Sequence, residues 1–136
     1  MDISIYISIG SFIVALAALY ISFKKYRIEI LINKKANIRA KATKVVNPPA
    51  NYWKVKIINE GQATAKNIRL VAYMGANDGI RFTGVKEKFP YPILNKGDSF
   101  EIVATLWGTP NPVPIIKFIW DDEFKKDNER EQVLEF

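Results

Sequence analysis

The sequence contains neither cysteine nor histidine. Disulfide bonds are therefore excluded, as are the thiolate and imidazole ligands that form most structural zinc sites. The cysteine nucleophile and the imidazole base that works near neutral pH are missing as well. We therefore expect a protein that is not an enzyme and that carries no cofactor and no metal site.

Charge is absent from residues 3–23, which read ISIYISIGSFIVALAALYISF. At 1.5 Å per residue, an α-helix of this length is about 31 Å long, which matches the ~30 Å hydrocarbon core of a bilayer. The sequence therefore predicts one N-terminal transmembrane helix over residues 3–23. The alternative is a cleaved signal peptide, which would begin with positive charge and have a shorter apolar run. Here the only charged side chain before the run is Asp2, and the positive charge follows the run.

Small residues within this run recur at alternating steps of four and three, a spacing that places them on one side of a helix. We call this set the Ser/Ala seam, and its members are Ser4, Ser8, Ser11, Ala15, Ala18 and Ser22. Small side chains let helices pack closely in a bilayer, so the seam predicts a homo-oligomer. Two alternatives stay open: the serines line a narrow polar path for ions or water, or small residues are simply tolerated in the span.

Basic residues follow the apolar run directly. Residues 24–44 contain eight basic side chains and one acidic side chain, Glu29. We interpret residues 24–35 as a basic juxtamembrane neck, helical or extended, which the positive-inside rule retains in the cytoplasm with the amino terminus outside the cell membrane. The neck is expected to contact anionic phospholipid, unless its charge serves topology alone. The lipid-binding candidates are Lys24, Lys25, Arg27, Lys34 and Lys35.

Residues 36–136 alternate apolar and polar side chains, which indicates half-buried strands. Seven strands are predicted, at residues 38–47, 52–58, 67–74, 80–85, 100–107, 116–120 and 133–136, with a proline-spaced loop at 89–92. No amphipathic helix separates them. The pattern therefore predicts a mainly β fold, an antiparallel β-sandwich after one N-terminal helix.

Two stretches resemble a known family. Residues 57–70, IINEGQATAKNIRL, are similar to the N-x-G-x-x-x-A-x-N-V signature of CARDB-like immunoglobulin-type sandwich domains, and residues 94–99, LNKGDS, are similar to their L-x-x-G-E-S motif. The whole chain resembles small prokaryotic single-span membrane proteins with such a domain, mostly of unassigned function. The resemblance implies an immunoglobulin-like sandwich and no catalytic residues. We expect Gly61 to occupy a left-handed turn position.

Four large side chains lie opposite the expected core face, which predicts a patch that binds a soluble protein. They are Val71, Tyr73, Val103 and Trp107. Inverted strand register, or coverage by the neck or tail, would explain them equally well.

Two other binding functions are considered and not favoured. Asp121, Asp122, Glu123 and Asp127 offer oxygen ligands for a hard cation, but they lack the order and the glycine of an EF-hand, so we interpret them as a solvated hairpin turn. The net charge of +6 suggests nucleic acid, but no recognised nucleic-acid motif is present. We expect no nucleic-acid binding.

Together these features predict a membrane-anchored protein-interaction module that self-associates through its helix and contacts anionic lipid. The main alternative is a membrane-perturbing or pore-forming effector, such as a toxin or antiviral defence subunit controlled by a soluble partner. A structural envelope or adhesion role, with the domain outside the cell, is the third possibility.

Overall fold

The computed structural model of this chain describes residues 2–47, 50–73, 80–106 and 114–136. The chain divides into two units, Met1–Asn33 and Lys34–Phe136. The first unit consists of the helix α1, Ile3–Asn33, which has 31 residues and no buried side chain. Helix α1 is long and apolar enough to cross a membrane. It extends past residue 23 because residues 24–33 contain no glycine or proline, so this part of the neck is helical.

The second unit is built from strands and one short helix. The strands are β1 (Ile38–Asn47), β2 (Ala50–Asn59), β3 (Ala65–Tyr73), β4 (Ile80–Thr83), β5 (Tyr91–Leu94), β6 (Ser99–Leu106), β7 (Ile115–Asp121) and β8 (Asn128–Val133), with α2 at Val85–Lys88. They form two antiparallel sheets, which confirms the predicted mainly β sandwich after one N-terminal helix.

The strand order is β1-β2-β6-β4 in the first sheet, here sheet I, and β5-β3-β7-β8 in the second, sheet II. Immunoglobulin-type sandwiches pair strands A, B, E and D in one sheet and C, F and G in the other, with an added strand beside C in some domains. The two sheets of this chain have the same order of neighbouring strands when β1, β2, β6 and β4 are matched to A, B, E and D. In sheet II, β3, β7 and β8 then match C, F and G. The order along the chain differs from that of immunoglobulin domains. The added strand beside C is β5, and it comes after β4, the strand matched to D, rather than before it.

The inner faces of the two sheets form one hydrophobic core. It is built by the alternation visible in the sequence, since Val55 and Ile57 point inward while Lys54 and Lys56 point outward. The largest fully buried apolar side chains come from both sheets and are Phe118, Ile38, Ile57, Ile68, Leu94, Ile116, Leu134 and Val55. Trp53 lies at the edge of the core with its ring centroid 5.1 Å from that of Phe136.

Three of the predicted strand and loop boundaries were wrong. The stretch predicted as a loop at residues 89–92 overlaps β5, because a sheet-edge strand tolerates Pro92, which has no amide hydrogen to donate. The strand predicted at 80–85 ends at Thr83, and α2 follows from Val85. The last strand is Asn128–Val133 rather than 133–136, since its polar residues hid the alternation.

Asn59, Gly61 and Asn67 of the family-like motif have structural roles. Asn59 is fully buried, and its amide group accepts hydrogen bonds from Asn37 N (3.1 Å) and Gly61 N (3.0 Å) and donates to Ala63 O (2.7 Å) and Leu94 O (3.0 Å). These bonds join three chain segments, at residue 37, residues 59–63 and residue 94. They lie at the end of the sandwich that contains Lys34, here called the junction end.

Gly61 serves a different purpose from the one expected. No left-handed φ is found at this position, and instead a Cβ atom would lie 2.4 Å from the backbone nitrogen of Asn37. Glycine is required because two backbone segments pass each other closely. Asn67 is the left-handed residue of the motif, with φ 49°, at a bulge in β3.

Candidate functional site

The Ser/Ala seam lies along one side of α1. At 100° per residue its six members fall within an arc of about 80°. The hydroxyl groups of Ser8 and Ser11 donate to the carbonyl oxygens of Ser4 and Ile7, both at 2.8 Å. These bonds engage the hydroxyl donors of Ser8 and Ser11 within the helix, so at these two positions the seam offers close packing rather than a free donor.

The lipid-binding candidates fall on two units. Lys24, Lys25 and Arg27 lie on α1, where the guanidinium carbon of Arg27 is 5.9 Å from the ring centroid of Phe23. Lys34 and Lys35 follow the helix and belong to the sandwich unit. The ammonium nitrogen of Lys35 lies 4.4 Å from the ring centroid of Phe124. The neck thus supplies two separate groups of basic side chains.

The turn between β7 and β8 is hydrogen-bonded to residues 34 and 36, which follow α1 in the sequence. The Asp122 carboxylate accepts a hydrogen bond from Ala36 N through Oδ2 (2.9 Å), and from Phe124 N (2.9 Å) and Lys125 N (3.0 Å) through Oδ1. Phe124 N also donates to Lys34 O at 3.1 Å. Desolvation by partial burial raises the pKa of Asp122, but these hydrogen bonds outweigh it, and the net pKa is lowered.

Asp121 and Asp127 at this turn are also engaged in structural contacts, whereas Glu123 is exposed. Asp121 Oδ1 accepts from Asp127 N at 2.8 Å, and Arg69 Nη2 lies 2.6 Å from Asp127 Oδ1. Within the described ranges, no group of three or more acidic side chains is arranged to hold a metal ion. The run belongs to the hairpin that joins two paired antiparallel strands, which confirms the predicted turn.

The predicted partner-binding residues do not form one patch. Val71, and the backbone of Tyr73, belong to β3 in sheet II, whereas Val103 belongs to β6 in sheet I. Trp107 lies outside the described residues. Val71 and Val103, the two members whose side chains are described, therefore lie on the outer faces of two different sheets.

Around Val71, the outer face of sheet II carries an apolar strip that the sequence analysis did not identify. Val71 on β3, Ile115 on β7 and Val133 on β8 are 37%, 43% and 50% exposed. Ile115 pairs directly with Val133, and Val71 is its diagonal neighbour, because Ile115 pairs with Tyr73. The sequence pattern could have identified Ile115 as an outward-facing residue. Its neighbours Ile116 and Phe118 point inward, and side chains alternate along a strand.

Around Val103, the outer face of sheet I is basic. Lys41 stands directly across from Lys56, a like-charge pair that destabilises a sheet, and Lys54 pairs with Val103. Lys41 Nζ lies 3.7 Å from Glu60 Oε1, and Lys54 Nζ lies 3.5 Å from Glu101 Oε2. These ion pairs are exposed and therefore weak, so the face keeps its positive potential.

The described residues of the sandwich form at least two shallow cavities. One, of about 560 Å³, is at the junction end and is lined by Thr64, Lys66, Ile93, Asn95, Asp121, Asp122, Glu123 and Lys126. The other, of about 380 Å³, separates β1 from the last residues of the chain and is lined by Ala40, Lys41, Ala42, Thr43, Gln132, Val133, Leu134 and Glu135. Both contain charged groups of each sign and neither presents an apolar pocket for a small molecule.

Comparison of the chain with protein-family models, with curated proteins and with solved structures finds no match. Function is therefore argued from the molecule's own surfaces.

Proposed function

We propose that this protein is a single-pass membrane protein whose cytoplasmic sandwich binds a soluble protein partner. The observation that carries the proposal is the apolar strip of Val71, Ile115 and Val133 on the outer face of sheet II. Neighbouring exposed apolar side chains on three adjacent strands form the apolar centre that protein interfaces use. Lys117 and Glu129, whose Nζ and Oε2 atoms are 2.8 Å apart, provide polar groups beside the strip.

Helix α1 serves as the membrane anchor in this proposal, and copies associate through the Ser/Ala seam. The basic side chains Lys24, Lys25 and Arg27 follow the apolar run and favour a cytoplasmic location for the sandwich. They also attract anionic headgroups, together with Lys34 and Lys35, by about 1 kcal/mol for each side chain near the surface.

The partner surface is tested by site-specific photocrosslinking in cells that express the full chain. A photoreactive residue at Ile115 or Val133 is expected to give a discrete adduct with a second protein. The matched control carries the same residue at Thr83, which is exposed on sheet I. Equal adducts at all three positions, or adducts at none, would contradict the proposal.

The same cells distinguish the effector alternative. A binding module is expected to leave the membrane potential unchanged on overexpression. Depolarisation that disappears when Ala15 and Ala18 are replaced by leucine would instead identify a membrane-perturbing effector that acts through the seam.

A further inference from the structure

The turn between β7 and β8 brings an exposed aromatic ring and two lysines to the place where the chain leaves α1. Phe124 is 42% exposed, and its amide donates to Lys34 O at 3.1 Å. Asp122 Oδ2 accepts from Ala36 N at 2.9 Å, and the ammonium group of Lys35 stands over the Phe124 ring at 4.4 Å. Three separate contacts therefore fix this turn against residues 34–36.

These contacts assemble a lysine–phenylalanine patch from two distant parts of the sequence. Its members are all exposed and are Lys34, Lys35, Phe124, Lys125 and Lys126. Of the nearby carboxylates, Asp122 is occupied by backbone N–H groups and Asp127 is paired with Arg69 at 2.6 Å. Glu123 is the remaining exposed acid in this turn. Asp122 and Glu123 both remain negatively charged, and Arg69 offsets one of the two charges of Asp121 and Asp127, so the four ammonium groups leave this turn with a small net positive charge.

We propose that the lysine–phenylalanine patch binds the anionic headgroup layer of the bilayer that α1 spans. Phe124 enters the boundary between headgroups and acyl chains, where apolar side chains beside a basic surface are buried, and the four lysines contact lipid phosphates. This inference rests on the proposed function in one respect, which is that α1 crosses the bilayer.

The length of the helix makes this contact possible. Residues 24–33 extend α1 by about 15 Å beyond residue 23. The headgroup layer on each side of a bilayer is about 5–8 Å thick, so an upright helix ends within about one Debye length of its surface. Because the patch begins at Lys34, the residue that follows α1, it is held near lipid at high effective concentration. This proximity favours lipid over nucleic acid, which the same charges would also attract.

The absence of native cysteine allows a direct test with single labels. Full-length chains with Phe124→Cys or Lys125→Cys carry an environment-sensitive dye in nanodiscs of phosphatidylcholine, with or without phosphatidylserine. With phosphatidylserine at low salt, we expect headgroup-level nitroxide lipids to quench the dye and acrylamide to reach it less. The matched control is Thr43→Cys on the exposed outer face of sheet I, about 20 Å along β1 from residue 37.

High salt, or the double substitution Lys126→Glu and Lys34→Glu, is expected to reduce quenching at position 124 to the level of the Thr43 label. Quenching that is the same with and without phosphatidylserine, or the same at positions 124 and 43, would overturn the inference. Loss of the lipid signal on addition of a short RNA duplex would assign the patch to nucleic acid. Unchanged thermal unfolding of each labelled chain shows that the fold is retained.

A fourth label separates this inference from the proposed function. Ile13→Cys lies near the middle of the apolar run and is expected to be quenched by nitroxides placed at the bilayer centre. If position 13 is not quenched, α1 does not span and the proposed function fails. If position 13 is quenched and position 124 is not, only the patch fails.

Discussion

Asp122 links the fold of the sandwich to the point where the chain leaves α1. Its carboxylate accepts backbone hydrogen bonds from Ala36, Phe124 and Lys125 and so holds residue 36 against the turn between β7 and β8. A neutral side chain without acceptors leaves these amide groups to find other partners. The residue therefore contributes to stability and to the placement of Phe124.

The lowered pKa of Asp122 gives this contribution a defined pH dependence. A carboxyl group whose folded pKa lies below its unfolded value of about 3.9 stabilises the fold fully above that value. The contribution is lost as pH falls through the folded pKa. We expect Asp122→Ala to lower the free energy of unfolding at pH 7 by about 1–2 kcal/mol, with the difference from the parent shrinking below pH ~4.

Thermal unfolding of the parent and variant chains in detergent, recorded by tryptophan fluorescence across this pH range, measures the difference. Glu123→Ala is the matched control because this neighbouring carboxylate is exposed, and its effect should remain within about 0.5 kcal/mol. A constant gap between parent and Asp122→Ala at every pH would show that the carboxylate charge is not what matters.

At the scale of the element, α1 presents the Ser/Ala seam with its hydroxyls at residues 8 and 11 already hydrogen-bonded within the helix. The alanine positions of the seam carry no hydroxyl, so they test association by close approach of the backbones alone. Leucine at Ala15 and Ala18 would hold neighbouring helices apart.

We expect Ala15→Leu with Ala18→Leu to weaken self-association in bilayers about tenfold, equivalent to about 1.4 kcal/mol. Resonance energy transfer between labelled chains in vesicles, measured at several lipid-to-protein ratios, gives the association constant. Gly10→Leu with Ala17→Leu is the matched control, because it enlarges two small residues that lie more than about 100° from the centre of the seam. Equal weakening by both pairs would exclude the seam as the contact surface.

The exposed edge of β1, the outermost strand of sheet I, is protected against pairing with another chain. On β1, the side-chain amide of Gln132 binds both backbone groups of Ala40, accepting from its N–H at 3.0 Å and donating to its carbonyl oxygen, and Arg130 binds the side chain of Asn37. Further along, Lys44 places a charge on the same edge. Side-chain pairing and edge charge both discourage addition of a foreign strand.

At the scale of the whole molecule, the proposed function requires that the two ends of the chain lie on opposite sides of the membrane. Single-cysteine chains, Asp2→Cys and Glu87→Cys, test this in intact cells with a membrane-impermeant maleimide. We expect labelling at residue 2 and protection at residue 87, because the basic residues after α1 remain in the cytoplasm. Permeabilised cells provide the control, in which both positions should react.

Labelling of residue 87 in intact cells would contradict this orientation. The sandwich would then lie outside the cell, as expected for an envelope or adhesion protein. Strip residues Ile115 and Val133 would in that case meet extracellular partners.

The local pattern of the sequence accounts for much of this fold. The uncharged run predicted α1, and the alternation around Val55 and Ile57 predicted a strand with the correct inward face. Such signals are readable because a helix or strand face repeats within a few residues. These signals failed at β5, which contains Pro92, and at β8, which is largely polar. Both are edge strands, and each is stabilised by pairing with a neighbouring strand rather than by an alternating pattern of its own.

The sequence by itself determined that this chain has no cysteine or histidine chemistry, one apolar helix and a set of alternating strands. Tertiary structure decided which surfaces those strands create. It separated Val71 from Val103 onto different sheets and brought Phe124 to Lys34, 90 residues earlier in the chain. The physical reason is that local periodicity fixes the direction in which a side chain points, whereas its neighbours depend on strand pairing and close packing across the whole core.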